Sequence, residues 1–239
     1  MGNSFFKFKE FTVHQGQSAM KVCTDACLFG AWVTTKAPLT NFKNILDIGT
    51  GTGLLSLMIA QHSTAKIDGV EIDELAAKQA EENFASSPWK DQLRVYTSSI
   101  IDFVESHEKT YDLIISNPPF FENQLKSNDE QRNLAMHSAN LTLTELADCI
   151  VKLLKDEGSA AILLPWNRSA EWKKIAQHFG LFITYETAVK QTKDHAYFRT
   201  MILMKKSATS PIFNEINIKE QLQYSKEFTE LLAPFYLAL

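Results

Sequence analysis

Three groups of residues in this chain have types and spacings suited to chemistry. Gly49, Gly51 and Gly53 alternate with threonine directly after an apolar run at 44–48. Glycine lets a backbone turn sharply and approach a ligand closely, and a helix opening at the last glycine would add free N–H groups. That suits a nucleoside cofactor, although the spacing is tighter than the G-x-G-x-x-G of dinucleotide sites. Glu71 stands 22 residues past Gly49, where a carboxylate can accept hydrogen bonds from both ribose hydroxyls. Asp47, at the end of the first strand, is expected to border the same crevice. Asn117-Pro118-Pro119-Phe120 follows a second apolar run at 112–116. The prolines fix their own φ, Pro119 also restrains Pro118, and neither offers a competing N–H. The Asn117 side-chain oxygen and the Pro118 carbonyl could each accept one N–H of a planar amino group, with Phe120 stacked on its plane.

Other reactive side chains form weaker patterns. Cys23, Cys27 and Cys149 are an odd set of three, which suggests a reducing compartment, here the cytoplasm, rather than a disulfide scaffold. His14, His62, His107, His137, His178 and His195 have no ligand spacing, so no metal site is expected. The first residues lack the apolar run of a signal peptide, and Phe6 stands where a myristoylation signal needs Ser or Thr. No stretch is long and apolar enough to span a membrane. The formal net charge of -4 opposes broad, non-specific nucleic-acid binding but says little about local field. Lys190, Lys193, Arg199, Lys205 and Lys206, His195 beside them, and the interleaved Phe and Lys of 5–9 could contact phosphates, or could equally be solvated faces.

The elements that must position these residues alternate between short apolar strands and helical patterns. Strands are expected at 44–48, 66–72, 93–98, 112–116 and 159–165, and a closing pair flanks 191–196. Helices are expected at 24–34 (capped by Thr24 or Asp25), 53–62, from Asp73 to before Pro88, 142–155 (stopped at 156–158), 168–179 and within 218–235. Residues 5–13 read as a strand or edge hairpin, 99–106 as a short helix or turn, and 121–139 as a long polar loop facing a substrate. Strand–helix alternation implies a mostly parallel sheet with helices on both faces. Ligands of such folds bind at the carboxyl ends of the strands. A single α/β domain over 1–239 is expected, with 1–40 as an extension over the pocket.

DIGTGTG, VEID and NPPF together resemble the motif set of class I amino-methyltransferases. The chain as a whole resembles the bacterial tRNA1(Val) adenine N6-methyltransferases. The segments that carry this are FKFKEFTVHQGQSAMKVCTDACLFGAW, LDIGTGTGLLSLMIAQ, QAEENFASSPW, DLIISNPPFF and the closing FYL. The resemblance implies a Rossmann-like seven-stranded sheet with an antiparallel C-terminal hairpin. It implies S-adenosyl-L-methionine as methyl donor and tRNA as substrate, with the adenine at position 37, in the anticodon loop of tRNA1(Val), as target. By position, Gly49, Gly51 and Gly53 would line the cofactor and Glu71 would hold its ribose. Lys21, Thr24 and Asp25 would lie in the covering segment, and Asn117, Pro118, Pro119 and Phe120 would hold the adenine. Ser99 stands where relatives often have an acid near the cofactor adenine. The rival readings are glutamine N5-methylation of a protein, which shares the NPP chemistry but is expected to need a helical module ahead of the cofactor domain, and an NAD-dependent oxidoreductase, which the glycine spacing opposes. A non-catalytic RNA-binding protein is a third.

Overall fold

A computed structural model describes residues 3–17, 21–118 and 141–238. The chain begins with a small antiparallel hairpin, β1 (Phe5–Lys7) and β2 (Thr12–His14), then helix α1 (Thr24–Lys36). Strand β3 (Asn44–Ile48), helix α2 (Leu54–Ala60), strand β4 (Lys66–Glu71), helix α3 (Glu74–Ala85), strand β5 (Leu93–Thr97), helix α4 (Ile100–Ser106) and strand β6 (Tyr111–Ser116) follow in strict alternation. From residue 141 onward come helix α5 (Leu143–Leu153), strand β7 (Leu154–Pro165), helix α6 (Ser169–His178), and strands β8 (Phe182–Lys190), β9 (Tyr197–Lys205) and β10 (Ile212–Asn217). A two-residue pair, β11 (Lys219–Glu220) with β12 (Gln223–Tyr224), and helix α7 (Lys226–Leu232) complete the described chain.

The main sheet has the order β10-β8-β9-β7-β6-β3-β4-β5. Every neighbouring pair is parallel except those made by β9, which runs against both β7 and β8. The chain moves outward from β3 to β5 in one direction and from β6 onward in the other. The topological switch point therefore lies between β3 and β6, where doubly wound folds bind ligands.

The expected seven strands and their antiparallel hairpin are present, and an eighth, β10, extends the edge. Its residues, IFNEIN, had no clear pattern because the outer face of an edge strand is wet: Ile212 and Phe213 are exposed and Ile216 is buried. Helix α5 does not stop at 156–158. The chain passes directly into β7, whose register with β6 slips between Tyr111 and Leu113. Residues 155–158 form an irregularity in a strand, not a loop. Neither Thr24 nor Asp25 caps α1; the N-cap is Cys23, with no side-chain cap bond.

Strand residues alternate between two cores, as a pleat requires. Ile45, Leu113, Ile115, Leu163, Met201 and Leu203 face α1, α2, α3 and α7, whereas Leu46, Ile114, Ile162, Leu164, Ile202 and Met204 face α4, α5 and α6. Each fully buried aliphatic side chain of this kind contributes about 2 kcal/mol. Two buried tryptophans keep their N–H groups satisfied: Trp32 donates to Thr187 Oγ1 at 3.0 Å and Trp172 to Met204 Sδ at 3.3 Å. The N-terminal hairpin is tied to the far end of the chain, since the Lys9 N–H donates to the Phe235 carbonyl at 2.8 Å. Phe8 stacks on Phe11 in the same cluster. Among the described residues, no helix is long and apolar enough to cross a membrane.

Candidate active site

The end of β3 opens into a loop built for close approach. Gly49, Gly51 and Gly53 have φ of 71°, 56° and 81°, conformations that side chains with a Cβ disfavour. The loop is pinned to the next strand, because Gly49 and Thr50 both donate to the Val70 carbonyl, at 2.8 and 3.1 Å. A Cβ added at Gly49 or Gly51 would stand in open space, so both leave a clear cradle on the crevice side. Gly53 has a different task. A Cβ there would strike the Phe84 ring, so this glycine lets α2 and α3 close together and does not line the crevice.

Asp47 does not border open space either. It is fully buried beneath the loop, and its Oδ2 accepts from Thr50 Oγ1 and Ser56 Oγ, both at 2.7 Å. Burial pushes its carboxyl up to about 6, against the hydrogen bonds from Ser56 and Thr50 that favour its charged form. Oδ1 has no partner among the described residues. Asp47 thus shapes the loop from below.

Glu71 ends β4 beside the loop. Its Oε2 accepts from the Gly51 N–H at 2.9 Å and its Oε1 from the Asp73 N–H at 3.0 Å. Each carboxylate oxygen keeps a further lone pair, and Asp73 caps α3 through the Ala76 N–H at 2.7 Å. At the end of β5, the Ser99 hydroxyl is already engaged as the N-cap of α4: it accepts from the Asp102 N–H at 3.1 Å and donates to Asp102 Oδ2 at 2.7 Å. Ser99 therefore spends its hydroxyl on starting α4, where relatives often carry an acid.

Asn117 follows β6 directly, on the other side of the switch point. Ser116 Oγ donates to the Ile48 carbonyl at 2.9 Å, which locks the ends of β3 and β6 together. One crevice is lined by Lys21, Val22, Cys23, Ala26, Gly49, Thr50, Gly51, Thr52, Leu54, Leu55 and Asn117. The glycine loop, the start of the Asn-Pro-Pro-Phe segment and the covering segment thus meet at one place. Pro118 is buried beside Asn117; Pro119 and Phe120, together with the expected loop at 121–139, lie outside the described residues. A larger cavity of about 350 Å³ is lined by Lys36, Ser159, Thr184, Tyr185 and Lys205. It opens at the opposite ends of the strands, remote from this chemistry.

Thr24 and Asp25 sit in the first turn of α1, next to the lining residues. Asp25 Oδ2 accepts from Arg199 Nε at 2.8 Å. Burial raises its carboxyl, but the Cys23 thiol and the Arg199 guanidinium overcome that and hold it below the usual range. Cys23, which lines the crevice, is pushed up to about 12 by burial and by Asp25, which disfavours its thiolate. Sequence reasoning missed Asn83. Its amide donates to the Thr52 carbonyl at 2.9 Å and the His14 carbonyl at 2.8 Å, and its oxygen accepts from the His14 N–H at 2.9 Å. No local pattern marks it, because both partners are remote in the chain. Among the described residues no cluster could hold a metal ion.

The Methyltransferase small domain family matches residues 31–164. Curated relatives match end to end. One from Cytophaga hutchinsonii is 39% identical over 100% of both chains. One from Dyadobacter fermentans is 41% identical over 98% of both. One from Yersinia pestis is 35% identical over 97% of this chain and 93% of its own. All three bear the name tRNA1(Val) (adenine(37)-N6)-methyltransferase. Among solved structures, a protein from Agrobacterium tumefaciens described as a predicted O-methyltransferase superposes with a TM-score of 0.68. It is 16% identical and covers 90% of this chain and 99% of its own. A putative RNA methyltransferase from Pyrococcus horikoshii gives 0.53 at 18% identity, covering 75% and 82%. At such identities these two speak for the fold alone. With a glycine loop and an Asn-Pro terminus facing one crevice across the switch point, and with full-length relatives near 40% identity, the chain belongs to the bacterial tRNA1(Val) (adenine(37)-N6)-methyltransferase family.

Proposed function

We propose that this protein transfers a methyl group from S-adenosylmethionine to N6 of an adenine in tRNA, the adenine at position 37 of tRNA1(Val). The observation that carries the reading is the shared crevice of Gly49, Gly51 and Asn117. The site fits the cofactor: the cradle at Gly49 and Gly51 is clear of side chains, and Glu71 stands at its edge with acceptor capacity to spare. Val22, Ala26, Leu54 and Leu55 add an apolar wall, and Lys21 closes the mouth from the covering segment within 1–40.

When bound, the cofactor supplies a methyl group already activated on a sulfonium. The chain's own residues then have to orient the acceptor. Adenine N6 is a weak nucleophile because its lone pair is delocalised into the ring. Asn117 Oδ1 and the Pro118 carbonyl each accept one N6–H, which turns the lone pair toward the methyl group and favours positive charge on nitrogen. Alignment of this kind is worth several kcal/mol, and fixed acceptors at the developing charge add to it. Nitrogen would gain the methyl carbon as the sulfonium S–C bond breaks and its electron pair returns to sulfur as a neutral thioether, and would lose one proton to solvent, so no covalent enzyme intermediate is required. By the motif, Phe120 is assigned to stack on the base plane and Pro119 to restrain Pro118. A tRNA substrate places the reaction in the cytoplasm.

The test is methylation of unmodified cellular tRNA with labelled cofactor, followed by nucleoside mapping. N6-methyladenosine at one anticodon-loop position is expected. Label on protein glutamine instead of tRNA overturns the reading. Asn117→Ala should lower transfer at least tenfold with near-normal cofactor binding, whereas Glu71→Ala should chiefly weaken cofactor binding.

A further inference from the structure

The basic residues grouped along the C-terminal hairpin do not share one surface. β9 is antiparallel to its neighbours, so its two ends lie at opposite edges of the sheet. Arg199 pairs in register with Pro165 and Val189, at the carboxyl ends of β7 and β8, whereas Lys205 pairs with Ser159 and Phe182 at the other edge. The six steps between them span roughly 20 Å. Lys206 is also committed at the far edge, to the Leu154 carbonyl and Asp156. Of these hairpin residues, Lys190, Lys193, His195 and Arg199 belong to the rim that carries Asn117, together with Arg168 just past the end of β7.

Two aromatic rings stand on that same rim. Trp166 follows the end of β7, and Tyr197 begins β9; their ring centroids are 4.6 Å apart, tilted by 47°, and both residues are half-buried. Lys190 Nζ lies 4.5 Å from the Tyr197 ring centroid, and Tyr197 Oη donates to Glu215 at 2.6 Å. β7 is the strand next to β6, and β9 the one after. The pair therefore lies one to two strands from β6, roughly 5 to 10 Å across the sheet, and roughly 10 Å beyond the level of Asn117 along the strands, because Ser116 pairs with Ile162.

We propose that Trp166 and Tyr197 stack the unpaired nucleotide that neighbours the target adenine. The inference rests on the adenine-methylation reading above. A base drawn out of its stack to reach Asn117 leaves its neighbour with an uncovered face, and aromatic side chains replace that contact in single-stranded RNA recognition. Stacking outweighs phosphate binding here because most of the rim's cations are countered: Lys190 by Glu215 at 3.7 Å, Arg199 by Asp25 at 2.8 Å and Arg168 by Glu171 at 2.6 Å. Lys193, exposed in the β8–β9 turn, has no ion pair among the described residues.

The experiment is steady-state methylation of an anticodon stem-loop RNA by the full chain, with cofactor affinity and thermal unfolding measured in parallel. Trp166→Ala and Tyr197→Ala should each raise KM for RNA about tenfold, with kcat within about threefold and cofactor Kd unchanged. Trp166→Phe should restore most of the loss, and Lys193→Ala should raise KM less than either aromatic truncation. Three outcomes overturn the proposal: an RNA KM within twofold of the parent for Trp166→Ala, a Trp166→Phe protein as impaired as Trp166→Ala, or equal losses of cofactor binding and RNA binding. If the parent chain fails to methylate the RNA, the adenine reading itself falls. If it succeeds while Trp166→Ala is indifferent, only the stacking role falls.

Discussion

Asp47 shows how a buried residue can shape the glycine loop from beneath without bordering the crevice. It is fully buried, it carries two hydroxyl donors on one oxygen, and its other oxygen has no partner among the described residues. A carboxylate in that position is unfavourable when charged, which is why burial lifts its pKa to about 6. The sign of the consequence is fixed. The folded state holds a proton that the unfolded chain has released between about pH 4 and pH 6. Asp47 therefore opposes stability above pH 6, by roughly 3 kcal/mol, and that opposition disappears as pH falls through this window. Asp47→Asn keeps the shape, and its amide oxygen can still accept from Thr50 and Ser56. It should raise unfolding free energy at pH 8 and flatten the pH dependence between 4 and 6. Urea titrations across that range check this; an Asn variant less stable than the parent at pH 8 would show that the charged form is needed to hold the loop.

At the scale of elements, the N-terminal hairpin, the glycine loop and α3 are joined through one side chain. Asn83 satisfies all its amide groups on His14 and Thr52, and it is almost fully buried. Truncation leaves backbone groups of two other elements unpaired, at about 1–3 kcal/mol for each buried group. Asn83→Ala should therefore loosen the cover over the crevice and weaken cofactor binding by tenfold or more, as read by calorimetric titration. Lower thermal stability with unchanged cofactor affinity would show that the hairpin is independent of the site. This contact also marks where sequence reasoning ends. The alternating strands and helices, the glycine turn, Glu71 and Asn117 were all legible, because period and spacing are local properties. The capping of α3 by Asp73 was legible for the same reason. A separation of 69 positions between His14 and Asn83 carries no such signal. Asp47 was placed at the crevice because its position in the strand was readable but the side of the loop it faces was not. Strand β10 was missed because its exposed apolar residues break the alternation that marks a half-buried strand.

On the scale of the whole molecule, the crevice wall depends on the C-terminal half of the chain. Asp25, in the turn that follows Lys21, Val22 and Cys23, is bonded to Arg199, 174 residues later. The pair is partly shielded, with side-chain exposures of 16% for Asp25 and 34% for Arg199, so its net worth after solvent screening is about 1 kcal/mol. Because the folded pKa of Asp25 is held below the ordinary carboxylate value, this stabilisation is present above about pH 4 and is lost as acid protonates the folded carboxyl. Arg199→Gln removes one partner and leaves the Cys23 thiol to oppose burial without the guanidinium, which should carry the Asp25 pKa upward. The variant should be less stable than the parent at pH 7, and the gap should narrow as the pH falls below about 4 toward pH 3. Cofactor affinity should fall severalfold at pH 7, since the turn that bears Lys21 and Cys23 loses its anchor to β9. Fluorescence-monitored unfolding at the two pH values measures the first effect, and a cofactor titration the second. An unchanged stability gap from pH 7 to pH 3 would mean that Arg199 acts through packing, with Asp25 indifferent to its charge.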